Sequence, residues 1–219
     1  MLDLFKQDNW SNKLVERILK MLGLGSKMFD YATGILLEGK ADNDPQTLLF
    51  DRDKRINHLE RKTRRRVISR LSIGGKQADI PSALIFTNVV KDVERIGDYV
   101  KNVYEIEDML PENPDRALLK KWLGEPTEAI ATLFTRTREA FEESDEEIAG
   151  LVIKQSKAQG RLYEEMIREI TTSDIPTHYA VCLVLTLRFY KRLVSHMSNI
   201  ASSVVMPVDM IDFYDEDDN

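Results

Sequence analysis

Residues 91–102 read KDVERIGDYVKN, and their side chains sort by helical spacing. Val93, Ile96 and Val100 recur every three or four positions, whereas Lys91, Glu94, Asp98 and Asn102 gather on a different face. Such a segment is an α-helix with one stripe turned to a core and another face left for charge. The stripe extends outward through Leu84, Ile85, Val89 and Val103. Pro81 suits the first turn, where a missing N–H is no loss, and the segment reaches residue 109 before Pro111 and Pro114 interrupt it.

Five further segments show the same periodicity. Leu14, Ile18, Met21, Leu22, Met28, Phe29, Ile35 and Leu36 form the first, with Gly23 and Gly25 as the points where it would kink or split. The second covers 47–73, where Leu48, Leu49, Ile56, Leu59, Val67, Ile68 and Leu71 give a discontinuous stripe that Gly74-Gly75 would cap. The last three cover 115–141, 145–170 and 176–205. No period-2 run stands out, so the fold class is all-α. Asp-Ile-Pro opens the third segment at 79–81 and recurs at 174–176 before the sixth. Helix, helix and Pro-initiated helix thus occur twice. The expected architecture is two tandem three-helix bundles, 11–110 and 114–206, packed side by side, with an N-terminal segment 1–10 and an acidic tail 207–219 outside them.

Composition agrees with a packed chain: of 219 residues, 42% are hydrophobic and 31% charged, with few Gly and Pro. The lone Cys182, flanked by Val181, Leu183 and Val184, reads as a small buried hydrophobe and excludes an internal disulfide, which suits a reducing compartment. No apolar run approaches the ~20 residues of a bilayer span. Asp3, Lys6 and Asp8 break up the N-terminus where a signal sequence would be apolar, so a cytoplasmic location is expected. The net charge of -6 is matched by Asp209, Asp212, Asp215, Glu216, Asp217 and Asp218 of the tail, which leaves the body formally neutral. A block of like charge is a solvated terminus first and a surface for a basic partner second.

The charged face of 91–102 is where chemistry is expected. Glu94 and Asp98 stand four apart and repel, so a cation should sit near them, an Arg, a Lys or a metal ion. Gly97 between them costs ~1 kcal/mol in a helix, a cost that makes sense where another backbone comes close. On the preceding segment Asp53, Asn57 and Glu60 also share one face, and oxygen ligands from two facing helices are how bundles assemble cation sites. The competing reading is a set of ion pairs with Arg55, Arg61 and Arg95.

These residues resemble a known family. VERIGDYVKN is similar to the repeated Glu-Arg-Ile-Gly-Asp signature of PhoU, the regulators of bacterial and archaeal phosphate uptake, and DKRINHLE at 53–60 is similar to the Asp-x-x-x-Asn-x-x-Glu segment on the preceding helix of that repeat. The resemblance covers roughly residues 11–206. It implies two tandem three-helix bundles, a homodimer and no enzymatic activity. It further implies an adaptor that couples a phosphate transporter, through its ATPase or a related carrier, to a sensor histidine kinase, and that meets the membrane through those partners only. Some relatives bind multinuclear metal clusters, so the resemblance offers Asp53, Asn57, Glu94 and Asp98, with Glu60 as an addition, as ligands for iron, zinc, manganese or magnesium. In the second copy, KRLVSHMSNI places Lys191 and Ser195 where the first has Glu94 and Asp98, although Arg192 and Asn199 match Arg95 and Asn102. Ser156, Gly160 and Tyr163 replace Asp53, Asn57 and Glu60, so a second cluster is not expected.

Other features point elsewhere. Arg61, Lys62, Arg64, Arg65, Arg66 and Arg70 form a dense basic patch, suited to phosphates, anionic lipid or an acidic protein. Nucleic acid is the alternative partner, disfavoured by the pI of about 5.3 and the absence of interleaved aromatics. A carboxylate-bridged metalloprotein of catalytic type would need Glu-x-x-His ligands, which do not occur. His58, His178 and His196 lack metal-ligand spacing, and no phosphate loop or nucleophile motif appears. Met21, Met28, Met197 and Met206 read as core.

Overall fold

The structure is a computed structural model that describes residues 9–39, 44–73 and 79–211. Six long helices follow one another: α1 (Asn9–Glu38), α2 (Asp51–Ser72), α3 (Ile80–Glu105), α4 (Arg116–Glu143), α5 (Glu146–Thr171) and α6 (Thr177–Val205). A π-helical turn, Gln46–Phe50, leads into α2, and short 3-10 turns, Ile106–Met109 and Val208–Met210, follow α3 and α6. No strand occurs among the described residues. No helix there is long and apolar enough to cross a membrane.

Local chemistry sets the helix ends. Asp115 and Asp145 cap α4 and α5, each accepting a hydrogen bond at 2.9 Å from the backbone N–H three residues on, Leu118 and Ile148. Gly39 ends α1 with a φ of +66°, and its amide returns to the Ile35 carbonyl at 2.9 Å. Pro81 lies in the first turn of α3 and Pro176 immediately precedes α6, so both Asp-Ile-Pro copies start the third helix of a triplet. The Gly74-Gly75 cap and the N-terminal and acidic tails, residues 1–8 and 212–219, lie outside the described residues.

Packing follows the duplicated order. Within each triplet all three helices touch; between triplets, α1 packs on α4 and α3 on α6. Each inner helix therefore meets its own counterpart, as a pseudo-twofold between halves requires. The second helices, α2 and α5, lie outermost against their own triplets. One core runs through both units. Phe29 of α1 has its ring centroid 5.6 Å from Phe134 of α4 and 5.7 Å from Tyr190 of α6, and the Tyr190 hydroxyl shares a 2.7 Å hydrogen bond with Thr127. Gly25 of α1 leaves room at the same seam, since an added Cβ would stand 3.4 Å from Ile96 of α3 and 3.6 Å from Phe134. Met21, Met28 and Met197 are fully buried, as is Cys182, whose thiol burial pushes to a higher pKa.

Polar links close the seam. Asp92 of α3 pairs with Nδ1 of His196 on α6 at 2.7 Å and accepts from Asn199 at 3.3 Å, while the His196 ring stacks on Tyr99. Arg116, at the start of α4, forks onto Glu107 and donates to the Leu36 carbonyl at 2.8 Å, tying the ends of α1, α3 and α4 together.

Two expectations are corrected. Helix α1 is not split at Gly23 or Gly25 but runs on through both. Ile68, Leu71 and Leu84, assigned above to apolar stripes, are exposed at 63%, 42% and 52%. Each residue turns a helix by about 100°, which carries Ile68 away from the inward Val67 and sets Leu84 opposite Phe86. Leu71 shares the direction of Val67 but falls in the last turn of α2.

Because Phe29 serves both units, Phe29→Ala is expected to destabilise the whole chain by about 3–5 kcal/mol. Trp10 reports on the first triplet and Trp122 on the second, so urea titrations of Trp10→Phe and Trp122→Phe proteins should show coincident transitions, both displaced to lower urea by Phe29→Ala.

Candidate functional site

Helices α2 and α3 bring the two acidic faces together. Asp53 lies in the first turn of α2, where the helix dipole favours a carboxylate, and is buried. It packs against Gly97: a Cβ at that position would stand 3.5 Å from Asp53 Oδ1 and 3.4 Å from Ile56 Cδ1. The glycine thus marks a close helix approach, as its mid-helix position suggested. Asn57, one turn further along α2, donates from Nδ2 to Asp53 Oδ2 at 3.4 Å.

Lys101 is the centre of the arrangement. Its Nζ lies 3.0 Å from Asp53 Oδ2 and 3.0 Å from Asp98 Oδ1, so one ammonium joins the two helices. Burial alone would lower the Lys101 pKa, but the hydrogen bonds and charges of Asp53 and Asp98 outweigh it and hold the group above its ordinary value. Arg95 lies 3.6 Å from Asp98 and 3.9 Å from Glu94, and Arg64 pairs with Glu60 at 2.7 Å. The proposed ligands therefore share one surface, with ion pairs distributed through it. Among the described residues, no three His, Cys, Asp or Glu side chains converge closely enough to hold a metal ion as they stand.

Two features remain unbalanced. Asp53 Oδ1 and Asn57 Oδ1 are buried acceptors without a hydrogen-bond partner in the protein. Glu94 is the acid least well served: burial raises its pKa first, the charges of Asp98, Glu60 and Asp53 raise it further, and Arg95 only partly opposes them. The site is rich in acceptor oxygens and short of positive charge.

Lys101 was absent from the sequence-based candidates. It stands three residues after Asp98 and seven after Glu94, on the turn where Asn102 was assigned to that face, so the i+3 position beside it was the signal. Of the second triplet's counterparts, Ser156, Gly160, Lys191 and Ser195 line one surface pocket of about 250 Å³, with Lys157, Arg161 and Glu164, whereas Tyr163 is buried in the core against Tyr190. There Lys191 of α6 pairs with Glu164 of α5. His58 and His178 are exposed, and His196 belongs to the link between triplets.

The PhoU domain model matches residues 18–106, the triplet that carries the acidic faces. A phosphate-specific transport system accessory protein PhoU homolog of Xylella fastidiosa is 26% identical over 206 residues, spanning 90% of this chain and 83% of its own. The homolog of the same name from Deinococcus radiodurans is 26% identical over 194 residues, with 85% and 88% covered. The crystal structure of PhoU from Pseudomonas aeruginosa superposes with a TM-score of 0.74 at 21% identity, covering 90% of this chain and 95% of that one.

The raised pKa of Glu94 fixes the sign of a pH effect. A carboxyl that binds its proton more tightly in the folded state contributes stability below its unfolded pKa, and that contribution is lost as pH rises through the folded value. Glu94→Gln is therefore expected to raise Tm at neutral pH, and the gain should shrink toward zero below about pH 4. Thermal melts of both proteins across that range check it.

Proposed function

Since the chain belongs to the PhoU family, we propose that it is a regulatory accessory of a phosphate transport system, without catalytic activity of its own. The observation that carries this reading is the near full-length correspondence with relatives named for that role, over both triplets instead of one shared domain. In this reading the chain acts in the cytoplasm, as a homodimer, and reaches the membrane through its partners. It couples a transporter, through its ATPase or a related carrier, to a sensor histidine kinase. A stiff six-helix platform with an acidic face on α2 and α3 and a basic patch along α2 suits that role, because charged surfaces select partners and speed encounter more than they add raw affinity.

Metal binding at the first triplet is part of the proposal. The donors are all oxygens, which suits magnesium, manganese or iron better than zinc, whose sites favour sulfur and nitrogen. The unpartnered Asp53 Oδ1 and Asn57 Oδ1 support it. Asp53, Asn57, Glu94 and Asp98 would hold the ion, with Glu60 beside them, and a divalent charge would take over the neutralising role of Lys101. The chemistry supplied is electrostatic: the ion would join α2 to α3 more firmly than one ammonium does.

Expression in a bacterium deprived of its own relative tests the regulatory reading. Restored restraint of phosphate uptake in phosphate-rich medium is expected, and unrestrained uptake at normal protein levels would refute it. For the metal, Lys101→Met should destabilise the apoprotein by about 1–3 kcal/mol, because it strands the buried Asp53 charge. Millimolar magnesium or manganese should recover most of that loss. If neither ion shifts Tm and elemental analysis of protein purified without chelator finds no metal, the face is an ion-pair network and nothing more.

A further inference from the structure

The first triplet carries a second constellation, distinct from the acidic face and built from the opposite charge. Where the start of α1 meets the last turns of α2, Trp10, Arg17, Lys62, Arg65, Arg66, Ser69, Arg70 and Ile73 enclose an open pocket of about 510 Å³. Five of those side chains are cationic. Only Arg70 has its charge answered there: it pairs with Asp79 at 2.9 Å while lying over the Trp10 ring, 5.4 Å from its centroid. Among the described residues, no carboxylate pairs with Arg17, Lys62, Arg65 or Arg66.

Three details separate this pocket from an ordinary solvated basic face. Arg66 Nε is a buried donor without a partner, and an N–H removed from water and left unpaired is costly unless a ligand accepts from it. Arg17, on the other helix, is half-buried and anchored by a 3.2 Å hydrogen bond from its Nη1 to the Lys62 carbonyl, so its guanidinium is held toward the pocket before anything binds. Its pKa is lowered, first by burial and then by the nearby charge of Arg66, with Glu16 opposing. The fold holds these charges together through the packing of α1 on α2, with Trp10 edge-on to Phe86 beneath.

We propose that this pocket is a binding site for a multiply charged phosphate group, held between Arg17 of α1 and Lys62, Arg65 and Arg66 of α2. Guanidinium forks match the geometry of phosphate oxygens, and several unpaired cations exceed what a single carboxylate can neutralise. The volume exceeds that of one orthophosphate, which favours a condensed phosphate such as pyrophosphate or tripolyphosphate. Trp10 presents no free face for a nucleobase, because it is buried and Arg70 covers its ring. The same phosphate chemistry could arrive on a lipid headgroup, for Ile73, which lines the pocket, is exposed, and the experiment separates the two sources.

Isothermal titration calorimetry at matched ionic strength, with pyrophosphate, tripolyphosphate, orthophosphate and citrate as probes, tests the site on the full chain. One saturable event is expected for tripolyphosphate and pyrophosphate, with citrate at least tenfold weaker. Arg17→Gln and Arg66→Gln should each weaken binding roughly tenfold, the loss of one charge-assisted hydrogen bond. Lys62→Gln, at an exposed side chain, gives a variant whose folding is not at issue and should weaken binding in the same direction, whereas Arg136→Gln on α4 should not. Sedimentation with vesicles of phosphatidylglycerol or phosphatidic acid in phosphatidylcholine forms the second arm. Binding there, lost in the same three variants while soluble phosphates fail, assigns the phosphate to a headgroup. The proposal is overturned if neither source binds, if citrate binds as tightly as the phosphates, or if the pocket variants behave like Arg136→Gln.

Discussion

The architecture depends on helices that are apolar over more than one face. Along α1 and α3, most turns bury adjacent positions that helical geometry points in different directions, Met21 with Leu22 and Met28 with Phe29 on α1, Ile85 with Phe86 and Val89 with Val90 on α3. A lone three-helix unit would leave one of those directions in water, at about 25 cal/mol for each Å² of apolar surface. The second triplet covers it, and each helix meets its own counterpart because the counterpart carries the same doubled stripe. The duplication read from the two Asp-Ile-Pro segments is thus a condition of stability and not merely a record of ancestry.

That division of labour frees the outer helices. Only Asp53, Ile56, Thr63 and Val67 of α2 are buried, so most of its surface is available for charge. Both polar constellations of the first triplet use that freedom, the acidic face near its start and the basic pocket near its end. Their placement is electrostatically favourable: acids lie toward the positive N-terminal end of the helix dipole and cations toward the negative C-terminal end. A helix spends little folding energy in presenting two opposite surfaces when its neighbours already supply the core.

Much of this was legible in the residues, and what was not has a common cause. Helix ends announce themselves locally, so Asp115, Asp145, Pro81 and Pro176 placed four starts to within a residue or two. Gly97 signalled a close approach because its cost in a helix needed a reason. The exposure of Ile68, Leu71 and Leu84 was hidden because periodicity shows that a stripe exists but not where the neighbouring helix stops. Partners from distant segments were hidden for the same reason: nothing local to Arg17 says that Arg66 faces it, nor does Asp92 declare His196, 104 positions away. The basic patch was visible as a run along α2; that it becomes a pocket depends on α1. Lys101 is a different case: it stands at i+3 from Asp98, on the same turn as Asn102 at i+4, so local spacing alone was enough to include it.

In the first triplet, Asp53, Asp98 and Lys101 form a bridge in which acids outnumber the central cation, and Glu94 is left raised beside them. In the second, the bridge survives with the same polarity on different residues: the acid, Glu164, again comes from the middle helix and the base, Lys191, from the third, with Lys157 and Arg161 nearby. Both triplets therefore keep one ion pair that clamps the outer helix to the inner one, which is the structural part of the role. Only the first surface carries carboxylates beyond those in the clamp, Glu60 and Glu94, whereas Glu164 is the one carboxylate lining the second. Carboxylates that the clamp does not use, absent where the fold is otherwise repeated, are what a binding face would require and an ion-pair clamp would not.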